Sequence, residues 1–157
     1  MDALELLKAD HDKVRGLFKQ VEGLGDRATT SRRDLFDQID EELTLHSKIE
    51  EKLLYPQFKE RAKDSEQKDE VLEAYEEHAV AKRLMKELEG IEPTDERYKA
   101  KLQVLIEGVK HHADEEEKEL FPMARELFKP DELKEMGAQI VDMKEKAGAP
   151  VPQGARQ

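Results

Sequence analysis

Residues 46–56 read HSKIEEKLLYP, from His46 to Pro56, and residues 112–122 read HADEEEKELFP, from His112 to Pro122. Each stretch sets a glutamate four residues after a histidine, a second glutamate directly behind it, and a proline ten residues from the histidine. Residues four apart share one face of a helix, so each stretch turns an imidazole and a carboxylate the same way. Working outward, His11 precedes His46 by 35 residues (46 − 11), and His78 precedes His112 by 34 (112 − 78). Gly23 follows His11 by twelve residues, and Gly90 follows His78 by twelve. The second half is therefore a second copy of the first helix pair. Two antiparallel hairpins related by a pseudo-two-fold would set matching residues face to face.

Helical periodicity runs through four long segments. The first spans about Asp2 to Leu24, with Asp2 as N-cap and Glu5 completing a capping box. The second runs from near Ser31 to Ala62, the third from Ser65 to Glu89, and the fourth from near Thr94 to Phe128. The links between them are short, which forces sequential helices antiparallel and predicts an all-α, up-down-up-down four-helix bundle. Pro130 opens a shorter amphipathic helix with Leu133, Met136, Ile140 and Met143 on one side. Residues 1–147 are expected to form one bundle domain with this C-terminal helix, and residues 148–157 a disordered tail.

The chain has 157 residues, enough for one sizeable core, with 37% hydrophobic and 41% charged residues. The net charge of −11 argues against nucleic acid or an anionic membrane as partner. Cysteine is absent, which excludes disulfides, thiolate metal sites and a cysteine nucleophile. There is no long apolar run and no leader pattern, so a cytoplasmic location is expected, and a monomer is favoured over an oligomer.

The core stripes show where the chemistry lies. They read Leu4, Leu7, His11, Val14, Phe18 and Val21; Phe36, Ile39, Leu43, His46, Glu50 and Leu53; Val71, Ala74, His78, Ala81, Met85 and Leu88; and Leu102, Leu105, Val109, His112, Glu116 and Met123. Each is apolar except at a histidine, or at a histidine and a glutamate. Two carboxylates in one small core would lose hydration and repel each other, at a cost of several kcal/mol or more. A pair of metal ions removes both penalties, and imidazole with carboxylate suits Fe, Mn and Zn. The repeat sets the register on His112 and Glu116, leaving His111 on a flank. Glu51 and Glu117 sit just off the stripe and are expected to be solvated.

The set His11, His46 with Glu50, His78, and His112 with Glu116 resembles the hemerythrin-like, or HHE cation-binding, family over about residues 2–128. The resemblance implies two iron ions, in preference to Mn or Zn, joined by an oxo or hydroxo bridge, with Glu50 and Glu116 as bridging carboxylates. Oxygen-carrying hemerythrins are similar but have a second histidine on the third helix, four residues from the first; here those positions hold Ala74 and Lys82. They also use an aspartate five residues after the fourth-helix histidine, where this register favours Glu116 at four. One ligand fewer implies a more open centre, one that turns over peroxide rather than storing O2 reversibly. Tyr55, whose repeat mate is Phe121, stands as a further ligand or a hydrogen-bond partner of one, as a tyrosine near this position is thought to be in some similar proteins. Regular helix geometry would set it half a turn from His46. The function implied is a diiron protein handling O2, peroxide or NO, most concretely with catalase-like or peroxide-scavenging activity. The alternatives are a non-enzymatic O2, iron or redox sensor, an iron-binding module for storage or delivery, and a metal-free interaction bundle.

Overall fold

The computed structural model describes residues 1–156, and among these every regular element is helical. Helix α1 is Ala3–Glu22, α2 covers residues 29–61, α3 is Ser65–Glu89, α4 covers residues 98–127 and α5 is Pro130–Lys146. The Asp2 side chain accepts from the Glu5 backbone N–H at 2.9 Å, and Asp64 likewise accepts from Gln67 at 2.9 Å. These caps start α1 and α3 where the sequence places them. Helix α4 begins at Tyr98, four residues later than expected from Thr94. The Asp95 carboxylate takes the Arg97 N–H at 2.8 Å, and the Tyr98 N–H binds the Asp95 carbonyl, so the chain turns before it coils.

Two apolar clusters show the antiparallel, up-down-up-down order. One joins Val14–Val21 of α1, Leu35–Leu43 of α2, Met85 and Leu88 of α3, and Leu102–Ile106 of α4. The other joins Ala3–Leu7, Leu54–Phe58, Val71 and Ala74, and Leu120–Phe128, and it extends to Leu133, Met136, Ile140 and Val141 of α5. His11, His46, His78 and His112 lie between the two, one from each bundle helix.

Helices α2 and α4 are not α-helical throughout. Each passes through a π-helical turn, Glu50–Leu54 and Glu116–Leu120, and each turn begins at a glutamate of the repeat. The cause is the proline six residues on. Pro56 and Pro122 have no N–H to give, and their rings clash with the carbonyl four residues back, so the preceding turn widens. The Tyr55 N–H reaches back to the Glu50 carbonyl, and the Phe121 N–H to that of Glu116. Widening shifts the stripe by one residue. Leu53 and Met123, expected to continue it, are only half-buried, while Leu54, Tyr55, Leu120 and Phe121 are buried.

Helix α5 lies across the N-terminus of α1. A Cβ at Gly137 would come 2.5 Å from the Met1 carbonyl oxygen, so the close crossing requires glycine here. Residues 148–156, expected as a disordered tail, lie against the N-terminus and α5. Gly148, at φ +71°, reverses the chain. Ala155 is then buried beside the N-terminal ammonium, which donates to its carbonyl at 3.1 Å, and Arg156 pairs with Asp142 and Glu145 of α5. Small side chains and one arginine, invisible to a search for apolar stripes, hold it. Gln157 lies outside the described residues.

Candidate metal centre

All six residues of the repeat meet at the centre of the bundle, and all are buried. They form two groups. His11, His46, Glu50 and Glu116 bring four ligand atoms within 4.8 Å of one another, and so do His78, His112, Glu50 and Glu116. Both glutamates belong to both groups. Glu116 lies 3.1 Å from His11 Nε2 by one oxygen and 3.4 Å from His112 Nε2 by the other. Glu50 Oε1 lies 3.0 Å from His46 Nε2 and 3.1 Å from His78 Nε2.

The unpaired atoms identify what this arrangement suits. His11 Nε2, His46 Nε2, Glu50 Oε2 and Glu116 Oε1 are fully buried and make no hydrogen bond. His11 Nε2 and Glu116 Oε1 are 3.1 Å apart yet lack hydrogen-bond geometry. Orphaned nitrogen and carboxylate atoms packed around shared space cost stability unless a cation joins them. Imidazole and carboxylate donors fit a first-row transition metal.

The four imidazoles are oriented from behind. His11 Nδ1 binds Glu117 at 2.7 Å, His46 Nδ1 binds Asp10 at 2.9 Å, His78 Nδ1 binds Glu51 at 2.8 Å, and His112 Nδ1 binds Glu77 at 2.7 Å. Such partners fix the ring and leave Nε2 for a metal. This corrects the expectation that Glu51 and Glu117 are merely solvated. The sequence carried a signal for all four. An acid directly precedes His11 and His78 (Asp10, Glu77), and a second glutamate directly follows Glu50 and Glu116. Their role depends on helix pairing. Asp10 and Glu77 serve the histidine of the next helix in the same hairpin, whereas Glu51 and Glu117 reach across to the other hairpin. His111 lies on the surface, 3.1 Å from Glu115.

The charges are coupled. Burial works against a protonated His46, but the Glu50 and Asp10 carboxylates outweigh it and hold its pKa well above the usual value. Burial lowers His112 too, yet Glu116 and Glu77 push it up to about 10. Burial would raise Glu116, but His112 and His11 hold it well below the ordinary carboxylate range. Without a metal, His46 and His112 therefore favour the protonated form beside Glu50 and Glu116.

Tyr55 breaks the two-fold. In a π turn the fifth residue on lies nearly above the first, so the turn that begins at Glu50 swings Tyr55 inward over it. Regular helix geometry missed this. The hydroxyl donates to Glu50 at 3.1 Å and makes a short bond to Glu116. It also lies 3.2 Å from His78 Nε2 and 3.5 Å from His112 Nε2. Burial, with the Glu116 and Glu50 charges, raises its pKa well above the usual phenol value. The repeat mate Phe121 stacks on His11 instead, at 5.8 Å between ring centroids.

Fold and site together define a metal-binding helical bundle with a buried histidine–glutamate cluster. The chain belongs to the hemerythrin HHE cation binding domain family, whose sequence pattern matches residues 2–124. A crystal structure of a hemerythrin HHE cation binding domain-containing protein from Mycobacterium kansasii superposes with a TM-score of 0.78 at 25% identity, over 94% of this chain and 88% of that one. An uncharacterized protein of Mycobacterium tuberculosis is 28% identical over 87% of this chain and 81% of its own length. A protein of Nostoc sp. named a DNA nickase is 27% identical over 93% of this chain, which spans 40% of that protein's length. An uncharacterized hemerythrin-like protein of Schizosaccharomyces pombe is 26% identical over 82% of this chain, which spans 62% of it. Among the described residues, no helix is long and apolar enough to cross a membrane.

Proposed function

We propose that the centre holds two iron ions joined by an oxo or hydroxo bridge and handles O2, peroxide or NO, most concretely by consuming hydrogen peroxide in a catalase-like reaction. The observation that carries this reading is the pair of histidine–glutamate groups sharing both Glu50 and Glu116. His11 and His46 would hold one iron, His78 and His112 the other, and the glutamates would bridge. Bound there, the pair would supply Lewis acidity and a two-electron redox capacity.

The chain's own part is orientation, shielding and proton placement. The Asp10, Glu51, Glu77 and Glu117 carboxylates fix the imidazoles. The apolar cluster on one side and the apolar cavity walls on the other lower the local dielectric and strengthen the charge interactions between them. The Tyr55 hydroxyl contacts His78 and His112 besides the two shared glutamates, so it would make the two metal positions unequal, either as a ligand or as a proton donor.

A ligand-sensing module is the second reading. One observation favours it: Lys144 of α5 binds Asp10, the residue behind His46, at 2.6 Å, which ties an outer helix to the centre. The activity in the Nostoc protein's name is not carried over, since that chain is far longer and the charge of −11 here opposes a polyanionic partner.

Protein from iron-replete cells should contain about two iron atoms per chain, with a charge-transfer absorption band that chelation removes. It should decompose hydrogen peroxide with release of O2. Tyr55→Phe should retain the iron but change the absorption spectrum and slow the peroxide reaction. Metal-free protein of undiminished thermal stability would remove the reading. A stable oxygenated form that bleaches under vacuum, with no peroxide turnover, would restore an O2 carrier.

A further inference from the structure

The bundle holds a cavity of about 320 Å3 between α3 and α4, on the side of the histidine layer toward the loops at 23–28 and 90–97. Its floor is the four imidazoles, and Phe18, Leu43, Leu84, Leu105 and Val109 wall it. The gap has a local cause. Ala81 on α3 and Gly108 on α4 are too small to fill it, and a Cβ added at Gly108 would meet nothing within 4 Å. Val80 and Val104 also line it, and they are 48% and 55% exposed. They are two of the three large hydrophobic side chains exposed among the described residues. Close packing would not leave an apolar void beside buried ionisable groups.

Its size and lining narrow what could enter. A cavity of about 150 Å3 lined by Leu, Ile and Phe holds benzene, so twice that volume takes an aryl or medium-chain alkyl body. Hydrogen peroxide gains nothing from apolar walls. A charged headgroup would have to shed its hydration among apolar walls, whereas a neutral one costs less to bury. We propose that this cavity admits organic hydroperoxides, with the apolar body between α3 and α4 and the terminal O–O–H group on the histidine floor, and that the centre prefers them to hydrogen peroxide. The assignment rests on the peroxide reading above and names its substrate class. The step is a reduction. ROOH, two protons and two electrons give ROH and water as the O–O bond breaks; a reduced two-iron centre held by the six residues would supply the electrons, solvent the protons, and hydrogen peroxide oxidised to O2 would return the two electrons for a further turn.

Cumene hydroperoxide and its alcohol, 2-phenyl-2-propanol, are suitable probes. The alcohol should raise the melting temperature of the wild type and not that of Gly108→Leu or Ala81→Leu, both of which should keep their helicity and iron. In single turnovers of reduced protein, cumene hydroperoxide should half-saturate the wild type at about a tenfold lower concentration than hydrogen peroxide. Each leucine variant should raise that concentration at least about tenfold, with hydrogen peroxide changed by less than about twofold. If the leucine variants do not fold, alcohol binding and the peroxide preference of the wild type decide alone. Failure of the wild type to bind the alcohol, including through a second copy covering the mouth, overturns the inference. So does oxidation by hydrogen peroxide without preference for cumene hydroperoxide, which leaves the peroxide reading standing. No reaction with either peroxide ends both.

Discussion

Lys144→Met tests whether α5 is part of the site or an appendage. Lys144 and Asp10 are 4% and 6% exposed, and the ammonium lies 2.6 Å from Asp10 Oδ1 while Oδ2 binds His46 at 2.9 Å. Burial alone would raise the Asp10 pKa, but His46 and Lys144 together hold it below the ordinary carboxylate value. Methionine keeps the length and apolar stem of the side chain and removes the charge, leaving a buried carboxylate with one partner. Breaking a buried ion pair costs about 3–5 kcal/mol. At roughly 2–4 °C per kcal/mol for a domain of this length, the melting temperature should fall by about 6–20 °C. The low end is expected, because protonated His46 still holds Asp10. Thermal unfolding of the metal-free chain followed by circular dichroism gives the number. Lys134→Met, an exposed position on the same helix with the same change in net charge, is the control and should cost less than about 0.5 kcal/mol. Adding Asp10→Asn to Lys144→Met should recover part of the loss, with a coupling of about 1–3 kcal/mol. A fall no larger than the control's, or strictly additive changes, would refute the argument.

Glu50→Ala and Glu116→Ala should each lose metal by elemental analysis, whereas His111→Ala should keep it; the reverse for His111 and His112 would shift the register by one. Glu117→Ala, which frees His11 Nδ1, should weaken metal binding about 10–100-fold in a chelator competition, although the residue itself touches no metal. On the outer face, burial and then the Glu115, Glu73, Glu119 and Glu77 charges raise the Glu70 pKa from 4.5 to about 7. The folded state thus holds that proton more tightly, so the contribution to stability is fully present below pH 4.5 and lost as pH rises to about 7. Glu70→Gln should raise the melting temperature at pH 8 and leave it unchanged at pH 4; equal effects at both would exclude this origin.

The sequence by itself determined the bundle and the six central residues. Helical periodicity, short links and the repeat of His11, His46 and Glu50 in His78, His112 and Glu116 are local or translational signals, and a pseudo-two-fold converts them directly into a shared centre. It also carried the acids beside those residues, but not their roles. Which imidazole Glu51 or Glu117 supports depends on which helix lies across the bundle, and only packing decides that. The inward turn of Tyr55 likewise needed the tertiary structure. Pro56 announces a disturbance but not its form, and the π turn, rather than a kink or a helix end, brings the hydroxyl over Glu50. The cavity depends on two small residues, Ala81 and Gly108, whose alignment on neighbouring helices no single periodicity records. The anchoring of α5 through Lys144 joins residues 134 positions apart, and a lone lysine in a helix is by default a solvated one.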